Sequence, residues 1–308
     1  MLVTIVTYNP DEEFVRSMIL KIKSKSTQYK VLIIDNFSRR PIEKLKIADY
    51  FIQFDKNYGL GRAYNYAIKI AKETGQNYII FFDQDTIILD NFNAIRVVKE
   101  AEGLQNREVK PYMLSVNIDN ASVESELPNS NFYIAKMIVN SGMILNTEFA
   151  EKNPFLEGLF LDRLDLEYSY RYRKLGILPL VYKEKMLDHR PGEGLKLYSK
   201  KCPKFFASIL HKIYVLRHKD ARYAKNAFYY THYNNFLRYY LMLRNDIYLW
   251  IRRKIYFNFW KIIIGDMIPL CETLGYKNGL KWIFRAVKHG LVGDLDKDNE
   301  LLFMSTTS

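Results

Sequence analysis

NYIIFFDQDTIILD, residues 77–90, holds a continuous apolar run from Tyr78 to Phe82 that stops at two carboxylates one residue apart, Asp83 and Asp85. Apolar, strand-forming residues in succession, without alternation, mark a strand covered on both faces, as in a parallel sheet. Open α/β sheets take their ligands outside the carboxyl ends of such strands. Two hard oxygen ligands there suit Mg²⁺ or Mn²⁺ gripping a diphosphate. An Asp-x-Asp after a strand also serves as a plain turn or helix cap, so the pair alone leaves both readings open.

Upstream, LVTIVTYNP and YKVLIIDN read as strands that end in turn residues, and the basic amphipathic stretch Glu12 to Lys25 between them reads as a crossover helix. That is a βαβ unit. IADYFIQFD and then Asn57-Tyr-Gly-Leu-Gly-Arg-Ala-Tyr-Asn65, a loop opening a helix through Ala71, lead into the strand at 78–82. Alternation of this kind predicts an α/β fold, a Rossmann-like, mostly parallel sheet with helices on both faces. Downstream, 111–131 is polar and strand-poor and reads as a loop or lid. Residues 135–147 read as a strand or hairpin around Ser141-Gly142, 155–175 end in helical spacing, and 177–181 read as a last core strand. His189-Arg-Pro-Gly192 closes a first domain, 1–192, and leaves 193–308 as a second, helical region.

Composition separates the two parts. Residues 171–308 carry 26 Lys and Arg against 11 Asp and Glu, whereas 1–170 carry 20 against 23, so the formal charge of +12 sits wholly in the C-terminal half. Such a surface suits an anionic partner. Residues 205–260 hold 17 aromatics, interleaved with Arg and Lys, which fits amphipathic helices lying in a membrane interface and equally an aromatic core or a dimer interface. No nucleic-acid module is recognisable, so no nucleic-acid partner is expected. Two cysteines, Cys202 and Cys271, offer no disulfide framework, and the opening residues form a strand pattern rather than a signal sequence. The expected place is the cytoplasm. No uncharged apolar run reaches 18 residues; the stretch 255–270 is broken by Lys261 and Asp266, so no transmembrane helix is expected.

Three further signals surround the paired carboxylates. Thr7-Tyr-Asn9-Pro and Ile33-Ile-Asp35-Asn-Phe-Ser38 place polar side chains at two strand ends, where Asp35 can also act as a simple turn former. In Asn57-x-Gly59-x-Gly61-x-Ala63-x-Asn65 the glycines permit close backbone approach and the helix start offers N–H groups to phosphate, with a structural tight turn as the alternative. The spacing lacks the third glycine of a dinucleotide fingerprint and follows the second βα unit, so nicotinamide binding is not expected. Asp162-Arg-Leu-Asp165-Leu-Glu167, before Tyr-Ser-Tyr-Arg171, sets carboxylates at a helix start, a position the helix dipole favours whether or not they react.

With these four motifs in this order, the chain resembles the family-2 inverting glycosyltransferases of the GT-A fold, and within them the rhamnosyltransferase-like subgroup. The resemblance covers roughly 2–192. It implies a nucleoside-diphosphate sugar donor, dTDP-rhamnose in the leading reading and a UDP-sugar in the alternative, with the base and ribose near Thr7, Asn9 and Asp35 and the donor loop at Asn57, Gly59 and Asn65. It implies Mn²⁺ or Mg²⁺ held by Asp85 with Asp83, which also lies near the ribose, and with His189 after the last core strand. Asp165 is implied as the base, although Leu164 stands where relatives carry an acid, which keeps Asp162 in contention. The acceptor implied is a hydroxyl of a lipid-linked or polysaccharide precursor. The basic C-terminal region then serves to seat the enzyme on the anionic inner face of the cell membrane or to form a homo-oligomer.

Overall fold

A computed structural model of the chain describes residues 1–104, 110–189, 236–255, 266–299 and 301. It divides into two compact units, Met1–Arg190 and Pro191–Ser308.

The first unit is built on β1 (Leu2–Thr7), every residue of which is buried. Strand β2 (Lys30–Asp35) pairs with it in parallel on one side and β4 (Tyr78–Asp83) on the other, while β3 (Tyr50–Gln53) extends the sheet beyond β2, again in parallel. Helix α1 (Glu12–Lys25) is the crossover from β1 to β2. Asp11 caps it by accepting from the Phe14 amide, Glu12 and Glu13 suit its positive end, and Val15, Met18, Ile19 and Ile22 form its buried stripe. Helix α2 (Leu60–Glu73) joins β3 to β4 and buries Ala63, Tyr64, Ala67, Ile68 and Ala71.

The unalternating apolar character of β1 and β4 has its cause in this layering. Val3, Ile5, Ile80 and Phe82 face one core with α1 and with α3 (Ala94–Glu102). The intervening Phe81 faces α2 on the other side, its ring 4.4 Å from that of Tyr64. Both faces of the strand are covered, so neither could be polar.

Beyond β4 the sheet becomes mixed, with β9 and β8 running against the other strands. Its order is β3-β2-β1-β4-β9-β6-β10-β8-β7, in which β9 (Met143–Asn146) runs antiparallel to β4 and to β6 (Met113–Ser115). Strand β10 (Leu180–Tyr182) is parallel to β6 and antiparallel to β8 (Phe132–Met137), which pairs with the edge strand β7 (Ser122–Glu126). Two expectations are corrected here. Residues 111–131 are not a loop, since β6 and β7 lie within them; β6 is three buried residues, too short for a pattern, and β7, Ser-Val-Glu-Ser-Glu, is exposed throughout. Nor do 135–147 form a hairpin, because β8 and β9 are separated in the sheet by β10 and β6. Two short strands, β5 (Thr86–Ile88) and β11 (Leu187–His189), form a separate antiparallel pair just past the end of β4.

Helices α4 (Thr147–Lys152) and α5 (Leu164–Arg173) complete the first unit. In the second, the described residues form α6 (Phe236–Arg253), α7 (Ile268–Leu274) and α8 (Tyr276–Val292). Cys202 and most of the aromatic stretch 205–260 lie outside the described residues. No described helix is long and apolar enough to cross a membrane.

Candidate active site

The parallel register aligns a row of polar residues at the carboxyl ends of the strands. Gln53 on β3 is opposite Asp35 on β2, which is opposite Thr7 on β1, and Val6 beside Thr7 is opposite Asp83 on β4. The sequence-predicted residues Thr7, Asp35 and Asp83 are therefore brought to one rim, where an open α/β sheet binds its ligands.

Asp35 is fully buried and its carboxylate is saturated. Oδ1 accepts from Thr7 Oγ1 at 3.2 Å and from Ser38 Oγ at 2.5 Å; Oδ2 accepts from the Ser38 amide at 2.9 Å and Gln53 Nε2 at 3.1 Å. A carboxylate has about four acceptor positions, and all are used within the protein. These four bonds fold the 35–38 turn and hold Asp35 at the rim. Asn9, at φ +48°, locks the same turn from the other side, its amide donating to Ser38 Oγ at 2.7 Å and its Oδ1 accepting from the Arg39 amide at 2.9 Å. Beside this turn opens a cleft of about 360 Å³ lined by Ser38, Arg39, Arg40, Phe51 and Gln53 among others. A larger one, about 460 Å³, lies between α2 and α4 and is remote from the rim, so size does not pick the site.

The glycine motif packs against the protein's own backbone. Tyr58 N–H donates to Asn36 Oδ1 and Gly59 N–H to Asn57 Oδ1, both at 2.9 Å, and Leu60 N–H donates to Phe160 O at 2.7 Å. These amides are satisfied internally rather than offered to phosphate. What the glycines admit is protein backbone: a Cβ on Gly59 would lie 2.5 Å from Phe160 O, and one on Gly61 3.0 Å from Glu157 Cα. Asn65 finishes the joint, donating to Phe155 O at 3.0 Å and accepting from the Phe155 amide at 2.8 Å. The motif thus clamps α2 to the segment that leads into α5. Gly59 also sits at φ +81°. Gly59→Ala is expected to destabilise the fold by about 2 kcal/mol or more, since a left-handed L-residue alone costs about 1–2 and the opposing atom is backbone. Urea melts of the two proteins check this; an unchanged midpoint would remove the clamp.

At the carboxyl end of β4, Asp83 and Asp85 flank the tight turn into β5. Gln84 between them bridges back to the first strand, accepting from the Tyr8 amide at 2.8 Å and donating to Tyr8 O at 3.3 Å. Below the turn, Thr86 Oγ1 and Ser141 Oγ share a hydrogen bond at 2.6 Å, Asn117 Nδ2 donates to Ser141 O at 2.9 Å, and the Gly142 amide donates to Phe81 O at 2.8 Å. Ser141-Gly142 is therefore the floor of this turn. His189 ends β11 with its backbone registered opposite Thr86, next in sequence to Asp85.

Two carboxylates at a strand end, with a histidine brought to the adjoining position by strand register, form a donor set of the right chemistry for Mn²⁺ or Mg²⁺. Among the described residues no three of His, Cys, Asp and Glu gather closely enough to cage an ion, and the ring of His189 is outside the described side chains. The fit therefore rests on Asp83 and Asp85.

Asp165 opens α5. Arg163 before it takes φ +74°, and Phe160 takes φ +62°, so two non-glycine residues occupy the left-handed region within four positions of each other. Strain of this kind persists only where surrounding structure enforces it, commonly at functional sites. Asp165 accepts from the Leu166 amide at 2.8 Å. Burial pushes its pKa above the ordinary carboxylate value, Asp162 nearby adds to the rise, and the Leu166 amide and Arg163 oppose it. Glu167, two residues on, is fully buried and paired with Arg171, Oε1 to Nε 2.8 Å, which fixes it as a structural partner.

Tyr64 links the two acidic stations, and sequence reading missed it. Its ring is packed on Phe81 and Phe155, and its hydroxyl is buried with no hydrogen-bond partner among the described residues. Its pKa is driven far up, first by burial and then by the charges of Asp83 and Asp165, so both carboxylates lie within electrostatic reach of one phenol. In the sequence it is one more aromatic on a helical core face, and nothing there signals the bare hydroxyl. Removing an unsatisfied buried hydroxyl gives back its desolvation penalty, so Tyr64→Phe is expected to leave stability unchanged or raise it by up to about 1 kcal/mol. A urea melt showing a loss larger than that would mean the hydroxyl is partnered in solution.

Residues 2–108 match the model of glycosyl transferase family 2. A dTDP-rhamnosyl transferase RfbF of Shigella flexneri is 26% identical over 205 residues, which covers 61% of this chain and 68% of that protein. Among solved structures, the S. aureus TarS 1–349 fragment covers 99% of this chain and 90% of its own length at 14% identity and a TM-score of 0.43. The mannosyltransferase PcManGT of Pyrobaculum calidifontis, crystallised with GDP-Man and Mn²⁺, covers 97% and 86% at 10% identity and a TM-score of 0.47. At those scores neither likeness bears on substrate.

Proposed function

We propose that this family-2 glycosyltransferase moves L-rhamnose from dTDP-rhamnose to a hydroxyl of a lipid-linked cell-surface polysaccharide precursor, with inversion at the anomeric carbon. The observation that carries the reading is the pair of acidic stations, Asp83 and Asp85 at the end of β4 and Asp165 at the start of α5, both acting on the phenol of Tyr64.

An inverting transfer needs one group near the leaving diphosphate and another that takes the acceptor proton on the opposite face of the sugar. Asp165 serves as that base: its carboxyl is desolvated, so its raised pKa makes it a better proton acceptor than an ordinary surface carboxylate once ionised. Asp83 and Asp85, with His189, would hold Mn²⁺ or Mg²⁺. When bound, that ion neutralises charge on the departing diphosphate. Gln84 holds this turn against Tyr8, and the clamp made by Gly59, Gly61 and Asn65 holds the base helix in register with it. The bonds exchanged are the C1–O bond to diphosphate, which breaks, and the C1–O bond to the acceptor, which forms. The acceptor proton goes to Asp165 Oδ, and no covalent enzyme intermediate is required.

The nucleoside lies over the row formed by Thr7, Asp35 and Gln53, with Asn9 holding the turn beside it. Support for dTDP-rhamnose as the donor comes from the likeness to the Shigella flexneri dTDP-rhamnosyl transferase. A panel of dTDP- and UDP-sugars, with and without Mn²⁺ or Mg²⁺, read as nucleoside diphosphate release and as the anomeric configuration of the product, tests the whole reading. Preference for a UDP-sugar would overturn the donor, and retention of configuration would overturn the base.

A further inference from the structure

Helix α8 of the second unit has two unlike faces. Its inner face is made of small residues at close approach: a Cβ on Gly279 would lie 2.5 Å from Cys271 Cα of α7, and one on Gly290 would lie 2.6 Å from Arg244 O of α6. Ala286 between them is fully buried. The outer face carries large apolar side chains in water, with Leu280 50%, Phe284 73% and Leu291 45% exposed, continuing from Tyr276. At about 100° per residue, positions 276, 280, 291 and 284 fall within an arc of roughly 80°. Lys277, Lys288 and Lys281, all exposed, fill the next arc. The helix contains no Asp or Glu. Its remaining arginine, Arg285, is paired with Asp298 and does not belong to the row.

We propose that this face of α8 is the surface by which the protein docks on an anionic lipid bilayer, Leu280, Phe284 and Leu291 entering the headgroup–acyl boundary while Lys277, Lys281 and Lys288 meet the lipid phosphates. An apolar stripe bordered by a single row of lysines is what an interfacial helix requires. Charge complementarity selects the occupant. In a symmetric dimer formed through this stripe the same surface meets itself, so the lysine rows of the two copies would share one interface, with no carboxylate on the helix to neutralise them. An acidic lipid surface supplies that counter-charge. The inference deepens the proposed function, which needs the enzyme beside a lipid-linked acceptor, but it depends only on the described faces of α8.

The test uses the full chain. Co-sedimentation with vesicles of phosphatidylglycerol and phosphatidylcholine is compared with vesicles of phosphatidylcholine alone, in low and high salt, and nucleoside diphosphate release is measured separately without lipid. Wild type is expected to bind the anionic vesicles and to be released by salt. A Lys277→Gln, Lys281→Gln, Lys288→Gln triple variant is expected to partition on the order of 100-fold more weakly, from about fivefold per lysine near such a surface. Phe284→Glu is expected to abolish binding, with lipid-free turnover and the circular-dichroism melt unchanged in both variants. Equal binding to neutral vesicles, or variants that bind as wild type does, would overturn the proposal. So would a wild-type dimer in light scattering that Phe284→Glu converts to monomer while vesicle binding persists. Loss of turnover with intact vesicle binding would instead count against the sugar-transfer reading and leave the docking face standing.

Discussion

Asp165→Asn is expected to lower sugar transfer by about 10³-fold, within the 10²–10⁴ that a positioned general base contributes, while the protein stays folded. The asparagine keeps the shape and can still accept from the Leu166 amide, so the start of α5 has no reason to unwind. Stability should move the other way from activity. In the folded state the Asp165 pKa is raised, so the proton favours the fold; that contribution is full below the unfolded pKa and is lost as pH rises through the raised folded value. At neutral pH wild type therefore carries a desolvated charge that the asparagine variant lacks. The variant should melt at the same temperature or higher, and its stability should depend less on pH between the acid and neutral ranges. A variant that loses activity by losing its fold would say nothing about the base, and the melt separates the two cases.

The same shift governs the pH profile. A base must be ionised, so the acid limb of kcat/KM for wild type should lie above the ordinary carboxylate range. Asp162 contributes to that rise through its charge. Asp162→Asn should therefore keep most of the activity and move the acid limb to lower pH. If Asp162→Asn is as inactive as Asp165→Asn is expected to be, the base is Asp162. The two variants together settle which of the two carboxylates takes the proton, a choice that the sequence leaves open.

What the sequence could and could not convey follows from the range of the contacts involved. Strand β4 was legible because burial on both faces forces an unbroken apolar run, and its end was legible because that run stops at charges. Helix α1 was legible for a local reason as well, its cap, stripe and end charges all lying within its own residues. Strand β6 was not, since three buried residues have no period, and β7 was not, since an exposed edge strand looks like a loop. At the site, residue types were readable but partners were not. The glycines of 57–65 announced a close approach without saying to what, and the answer, Phe160 and Glu157, lies about a hundred residues away. Asp35 announced a polar strand end, yet whether its oxygens were open depended on Gln53 from the next strand. Gln84, the unremarked middle residue of the acidic motif, makes two hydrogen bonds to Tyr8 that only the pairing of β1 with β4 creates.

Asp85→Ala should reduce transfer by on the order of 10³-fold, several kcal/mol of barrier, with the turn around it still held. The structural half of this expectation rests on how the turn is held. Its fixed points are Gln84 against Tyr8, Thr86 against Ser141, and the Gly142 amide on Phe81 O, so the turn is braced by its neighbours on either side of Asp85. The chemical half rests on charge. The leaving diphosphate must be met by positive charge, yet the rim row at the strand ends is made of Gln53, Asp35, Thr7 and Asp83, none of them basic. Under the proposed function, carboxylates at that rim are unfavourable beside a diphosphate unless a divalent cation lies between them, and Asp85 is the residue proposed to hold it. Three arms follow from this. Excess chelator should match the Asp85→Ala loss in wild type and add nothing in the variant. Restoring Mn²⁺ should rescue wild type alone. Asp85→Glu, which keeps the charge but lengthens the arm, should fall between the two and respond to raised Mn²⁺, since a displaced ligand weakens binding rather than removing it. Full activity of Asp85→Ala in chelator would leave charge neutralisation to side chains outside this rim and would separate the Asp-x-Asp pair from the chemistry altogether.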